Sequence, residues 1–439
     1  NGPGGRGGKR MTTTTRPPLY QRPWSMSRLG PEAGYGLPIP LGLFVFSMIV
    51  PADLAFEISE LRLEPQRVAL LSVAPWVLVW MVAQRRIAAQ DLCFLAAGLW
   101  AATASLMHLP LDEGVERGGS FFLETAIAYI LPSVFLTNAA QIRSLIRALF
   151  FVVAVLAPLA AMEAHWGEHV IANWAAAVWE EPEPFKAEER LGLLRARVTF
   201  AHQILFGVFC ASLLAFFWYE ALSRGERLLR AGVCAIAVFY SLSSAAILLF
   251  ALQGAMIAAE AATRRVKNRL RWLAGAAVLS WIAIELIVRG GLVGFVTRYL
   301  SLNPSTAYYR QLIWAHIIDD IEADPLIGTG GFWTRPAWMV TSIDHVYFTK
   351  AIKYGVPVIV FWAIGVFLIA RALHRIRAQV GSAHRAVTLA WLFAVAGLAV
   401  AGLTVDYFGR SLPFVMFVIG LGAAWARIAA AAPSTRRAL

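Results

Sequence analysis

Long apolar runs separated by short polar stretches make up most of this chain. A helix that crosses a bilayer needs about 20 mostly apolar residues. Twelve windows fit: residues 37–56, 67–83, 91–109, 121–137, 142–162, 199–218, 228–243, 245–262, 272–288, 346–370, 386–404 and 411–430. Only the polar turn SLSS, Ser241 to Ser244, separates the seventh from the eighth. No internal repeat relates the windows, which weakens a transporter built on inverted repeats. The pattern predicts an all-α, polytopic integral membrane protein with about twelve transmembrane helices. Residues 37–430 form one transmembrane domain, flanked by tails at 1–36 and 431–439.

Two connections are long, 163–198 and 289–345. The second is too long to be structureless. Its segment NPSTAYYRQLIWAHIIDDIEADP predicts a helix, capped by Ser305 or Thr306 and ended ahead of Pro325. Arg310, Trp314, Ile317 and Ile321 then share one face.

Composition agrees with the pattern. Hydrophobic residues are 59% and charged residues 15% of the chain, against about 25% charged in a soluble domain. The formal charge of +12 comes largely from one set of loops. QRRIAAQ (84–90), NAAQIRSLIR (138–147), EALSRGERLLR (220–230), RRVKNRLR (264–271) and RALHRIRAQVGSAHR (371–385) are strongly basic. EISELRLEPQ, LPLDEGVERGG and EEPEPFKAEER, in the opposite loops, are net acidic. Basic loops face the cytoplasm, so the charge calls for no nucleic-acid partner. Both termini are expected there, and 163–198 and 289–345 outside. The first ten residues, NGPGGRGGKR, precede Met11 and read as an expression scar. The first span is expected to remain as an anchor. Cys93, Cys210 and Cys234 lie in apolar runs and read as packing residues.

Candidate chemistry gathers on the outer side. Arg195, Arg197, Arg289, Arg298, Arg310, Arg335 and Arg410 are all placed there, against the charge rule. A guanidinium pairs bidentately with phosphate oxygens; the plainer alternative pairs these arginines with acids such as Glu180, Glu181, Glu188 and Glu189. His345 follows Asp344 and is the candidate general base, its pKa expected to be lowered by neighbouring arginines. Lys350 and Lys353 follow within two turns. DPLIGTGGFW, Asp324 to Trp333, has the glycines of a phosphate loop, but it lacks the Lys-Ser/Thr pair and faces away from ATP. Weaker candidates are His165 with His169, spaced for a metal, Asp53 with Glu57, and Asp319 with Asp320.

Three segments resemble the O-antigen ligase and Wzy-type polysaccharide polymerase superfamily: RVTFAHQILFGVF (197–209), STAYYRQLIWAHIIDDIEADPLIGTGGF (305–332) and DHVYFTKAIKYGVP (344–357). Arg197, Arg310 with Trp314, Pro325 with Gly328 and Gly330, and His345 with Gly355 match the family's pattern. One departure is SLSSAAIL, with Ala245 and Ala246 where many relatives carry an arginine; Arg289 or Arg298 are the expected substitutes. A second is DHVYF in place of the ligases' His-Asn-x-x-Leu.

The resemblance implies a C-type glycosyltransferase fold in the bacterial inner membrane, an outward active site in the periplasm, and neither metal nor cofactor. The implied reaction moves a glycan from undecaprenyl diphosphate to an acceptor sugar hydroxyl. His345 and Arg310 would be catalytic. Arg195, Arg197, Arg289, Arg298 and Arg410 would hold the diphosphate. Asp344, Trp314, Gly328, Gly330 and Lys353 would shape the acceptor side. Expected partners are the lipid-linked glycan, an acceptor glycan (a lipid-linked repeat or lipid A-core), membrane lipids and a chain-length regulator protein. A polymerase is the first expectation, a ligase the second. A flippase or transporter of lipid-linked sugars is the alternative of another class.

Overall fold

A computed structural model describes residues 36–58, 61–83, 87–179, 188–266, 269–288, 291, 294–295, 304–336, 339, 342–376 and 382–431. The described chain is almost wholly helical. Its only strands, among the described residues, form two hairpins: Phe56–Ile58 with Leu61–Leu63, and Glu189–Arg190 with Leu193–Leu194. Arg289 and Arg298 lie outside the described residues.

Among the described residues, nine helices are long and apolar enough to cross a membrane: Pro65–Ala83, Ala89–His108, Leu111–Phe135, Ala139–Trp166, Gln203–Glu220, Ser244–Ala262, Val356–Ile376, His384–Ala401 and Ser411–Ala431. The protein is therefore a multi-pass membrane protein. Two of these helices form its centre, Gln203–Glu220 being 89% and Ser411–Ala431 78% buried. Helices also fill the seventh and ninth predicted windows, at Arg224–Tyr240 and Arg269–Ile287.

Four places depart from the hydropathy pattern. The first window holds a helix only over Ile39–Phe46, too short for a bilayer of about 30 Å. The turn beyond it is held by other segments. Arg410 Nη1 donates to the carbonyls of Ser47 (3.3 Å) and Met48 (3.1 Å), and Thr199 Oγ1 donates to Met48 O (2.9 Å). The segment LPLDEGVERGG, predicted as a loop, is helical and opens the Leu111–Phe135 span. Asp112 and Glu113 sit in its first turn, where the helix dipole favours acids. Gly114 and Gly118 lie against Leu106 and Ala102 of the preceding helix, and a Cβ on Gly118 would come within 2.6 Å of Ala102 Cα. Small residues four apart allow such close approach.

The tenth window is broken at Gly355 (φ 85°) into Val346–Tyr354 and Val356–Ile376. Last, the spans hold more buried acids than their hydropathy suggests, each paired. Glu124 accepts from Arg67 (2.7 Å), Glu220 from Arg147 (2.9 Å) and Arg230, and Glu260 from Arg264 (3.2 Å). Burying a carboxylate requires such a partner.

The helix predicted within the second long connection forms over Pro304–Ala323. Its predicted apolar face is buried: Ile313, Trp314 and Ile317 pack with Met339, Ile343 and Ile352, and Ile321 lies against this cluster. This second small core sets the helix over the Val346–Tyr354 helix.

Candidate functional site

The site is built by the turn ahead of the Gln203–Ser212 helix. The backbone N–H groups of Arg197 and Val198 both donate to Glu163 Oε2, at 3.2 and 3.0 Å. Val198 is held at φ 51°. This pins Arg195 and Arg197, which are 3% and 4% exposed. Arg197 Nη1 donates to Asp53 Oδ1 (3.1 Å) and to Phe200 O (3.4 Å). Arg195 Nη1 donates to Glu188 Oε2, an oxygen that also accepts from Gln203 Nε2 at 3.0 Å. The Nε and Nη2 atoms of Arg195 are buried with no partner among the described residues.

The hairpin Glu189–Arg190/Leu193–Leu194 adds a cation that sequence reasoning missed. Arg190 Nη1 donates to Leu242 O at 3.1 Å. Leu242 belongs to the SLSS turn, the region where the resembled family carries an arginine and this chain has alanines. Arg190 was hidden in an acidic run. The available signal was Leu191-Gly192 followed by two leucines: both turn residues have positive φ, 55° and 73°, as a type I′ hairpin requires.

Arg310, on the Pro304–Ala323 helix, donates through Nε (3.0 Å) and Nη2 (2.8 Å) to Asp344 Oδ2. Ser342 Oγ donates to the other oxygen. The cluster is close enough for its charges to interact. Burial lowers Arg195 to about 10, helped by Arg190 and Arg310. Burial also lowers Arg190, with Arg310 adding to the effect. His202 lies among them, pushed down to about 4 by burial and then by Arg195, with Glu188 and Asp344 opposing. The structure thus brings Arg190, Arg195, Arg310, His202, Glu188 and Asp344 together, with Arg197 at the edge.

Arg410 stands ahead of the Ser411–Ala431 span. It is 2% exposed and lies 5.1 Å from the centre of the Phe200 ring. Burial lowers its pKa to about 10. Its Nε and Nη2 also have no partner among the described residues. Arg195 and Arg410 thus each leave two buried donors unpartnered, while Arg195, Arg197 and Arg310 are each also held by an acid.

His345 is placed differently from the expectation. Its ring stacks on Phe348 (4.0 Å) and meets Trp314 edge-on (5.1 Å), while Trp314 Nε1 donates to Ile343 O (3.0 Å). Its pKa is lowered to about 4, as expected in direction, but the cause is burial rather than neighbouring arginines. Nδ1 accepts from Phe348 N at 3.2 Å, capping the Val346–Tyr354 helix. His202 does the same for its own helix, accepting from Ile204 N at 3.2 Å. A neutral imidazole that accepts at Nδ1 carries its proton on Nε2. Both rings are then donors rather than bases.

The glycine segment is not a phosphate cradle. Thr329 N and Gly331 N both donate to Ile352 O, at 2.8 and 3.3 Å, and Gly328 N donates to Asp324 O at 3.1 Å. The amides of Gly328, Thr329 and Gly331 are thus engaged within the protein. Gly328 and Gly330, at φ 69° and 68°, let this segment close on the end of the Val346–Tyr354 helix. Arg117 Nη1 donates to Gly330 O (2.7 Å), and Lys353 lies beside Gly331. Lys350 Nζ donates to Asp406 Oδ1 (3.2 Å).

The weaker candidates separate. His165 pairs with Tyr240 (3.1 Å) and His169 with Glu163 (3.4 Å), and among the described residues no three potential ligands form a metal group. Asp320 accepts from Thr334 N (2.8 Å) and anchors the chain beyond the glycine segment. Cys234 Sγ donates to Cys210 O (2.9 Å) within the core. Comparison with protein-family models and with curated proteins gives no match for this chain.

Proposed function

We propose that this protein is a periplasmic glycosyltransferase that moves a glycan from undecaprenyl diphosphate to a sugar hydroxyl. The observation that carries the reading is Arg195. It is a buried guanidinium with two nitrogens that have no partner among the described residues, and it shares its surroundings with Arg190 and Arg310. Buried unpaired donors are costly, and arginines massed against their own repulsion suit a multiply charged ligand such as a diphosphate. The backbone supports the same place. Among the described residues, the non-glycine positions with positive φ are Leu191, Val198, Leu242 and Asp344. Each belongs to a segment that holds one of these arginines. Such strain concentrates at functional sites.

In this reading the acceptor hydroxyl attacks the anomeric carbon, and the C–O bond to the diphosphate breaks. Arg195, Arg190 and Arg310 neutralise the leaving diphosphate, and Arg410 and Arg197 add positive charge beside it. The capped rings of His202 and His345 are oriented to donate from Nε2. The membrane is the bacterial inner membrane, with about twelve spans, both termini cytoplasmic and the site facing the periplasm. The basic loops support that orientation. A polymerase joining repeat units is the first reading, with a chain-length regulator as its protein partner. A ligase acting on lipid A-core shares the chemistry. A transporter of lipid-linked sugars is less well supported, because the buried acids of the spans are paired with nearby arginines.

The test is the glycan profile of a strain lacking the protein. Single repeats left on undecaprenyl diphosphate identify a polymerase. Full-length polymer on that carrier with none on lipid A identifies a ligase. Repeats held on the cytoplasmic face, or an unchanged profile, refute the transferase.

A further inference from the structure

The reaction needs a group that takes the acceptor proton, and the two histidines are ill suited to it, each having Nδ1 engaged in a helix cap. We propose that Glu188 is the general base of this site. The inference rests on the glycosyltransferase reading above.

The other acids near the arginines are either engaged on both oxygens or buried. Asp344 accepts from Arg310 on one oxygen and from Ser342 on the other. Asp53 accepts from Arg197 on Oδ1, and its other oxygen is buried, the side chain being only 10% exposed. Glu188 combines an unengaged oxygen with exposure. Its side chain is 51% exposed, so a bulky glycan arriving from outside can reach it. Both of its side-chain hydrogen bonds to described residues, from Arg195 Nη1 and Gln203 Nε2, fall on Oε2. Oε1 receives none from a described residue. One oxygen is thus fixed by two donors and the other is turned loose, which is how a carboxylate base is oriented without being consumed.

The position also suits the chemistry. Glu188 shares Arg195 with the proposed diphosphate site, so the proton acceptor and the leaving-group clamp are joined through one guanidinium. The acceptor O–H bond breaks and its proton passes to Glu188 Oε1. The acceptor oxygen forms the new bond to the anomeric carbon. The electron pair of the broken C–O bond stays on the diphosphate. Atoms and charge balance with no further reactant.

The experiment uses the purified full chain with membranes from a strain lacking it, which supply native donor and acceptor. Binding is read separately with undecaprenyl diphosphate alone. Glu188→Gln keeps the shape and both donor contacts but removes the basic oxygen. It is expected to lower the rate of glycan transfer about 100-fold or more while undecaprenyl diphosphate binds as it does to the parent protein. Glu188→Ala is expected to lose activity likewise and to regain part of it when sodium formate is added. Near-parental turnover in either variant overturns the proposal. So does a loss of turnover that is matched by loss of undecaprenyl diphosphate binding or not relieved by formate, either of which makes Glu188 a structural partner of Arg195. Arg195→Ala separates this from the parent reading: if that variant both binds undecaprenyl diphosphate and transfers glycan normally, the site itself is misassigned, whatever Glu188 does.

Discussion

Arg195 and Arg310 contribute different things to the site. Both are held by carboxylates, Arg310 by Asp344 and Arg195 by Glu188, but Arg195 also keeps two buried donors without a partner among the described residues. Removing a charge-assisted donor from a developing anion costs about 3–4 kcal/mol of transition-state stabilisation. Arg195→Ala and Arg310→Ala are each expected to lose glycan transfer by that amount, read as kcat/KM, with the protein still inserted. Arg195→Lys is expected to restore little, because an ammonium lacks the planar fork. The two capping histidines contribute to acid stability. Both are lowered from 6.5 to about 4 in the folded protein, so the unfolded chain binds their protons first as pH falls. Their contribution is complete above about pH 6.5 and is lost as pH drops toward about 4. His345→Asn keeps a good cap, whereas His345→Ala costs about 1 kcal/mol. Thermal unfolding in detergent across this pH range should therefore show a shallower acid loss for His345→Asn than for the parent.

At the scale of elements, the glycine segment and the Val346–Tyr354 helix behave as one unit. Gly355 ends that helix at φ 85°, and a Cβ there would lie 1.9 Å from Leu326 O. Gly355→Ala would have to carry a side chain in a left-handed conformation and push the backbone of the glycine segment away. A cost of about 2–4 kcal/mol is expected, seen as a lowered melting temperature. The resemblance matches these glycines to a motif; in the structure their use is mechanical, since they let one backbone close on another. The same distinction applies to the Leu111–Phe135 span. Its first half is charged and its sequence reads as a loop, because hydropathy does not register that Gly114 and Gly118 fit against a neighbouring helix.

For the molecule as a whole, the basic loops predict the orientation. Arg335 and Arg375 belong to opposite sets of connections. In a background with Cys93 replaced by serine, Arg335→Cys is expected to react with a membrane-impermeant maleimide in intact spheroplasts. Arg375→Cys is expected to react only after lysis. Reversed labelling would put the arginine cluster in the cytoplasm and remove the lipid-diphosphate donor from its reach. Cys210 and Cys234 are buried and should give little background.

The apolar windows, the basic loops and the helix bearing Arg310 and Trp314 were legible from the chain alone, since each depends on local spacing or composition. Periodicity placed Trp314 and Ile317 in a core without any knowledge of their partners. What only the tertiary structure decided is which charges meet. Arg190 lay unread in an acidic run, and it reaches Leu242 across 52 positions. Arg197 is paired with Asp53 across 144 positions. Glu188 and Arg195 are close in sequence, but their pairing follows from a hairpin that hydropathy does not register. The resemblance singled out His345, yet the contact that makes it a cap is a hydrogen bond whose geometry exists only once the helix has formed. Local pattern determines what a segment is. The role of a charged side chain depends on its partners and its burial, and both are set by segments far away in the chain.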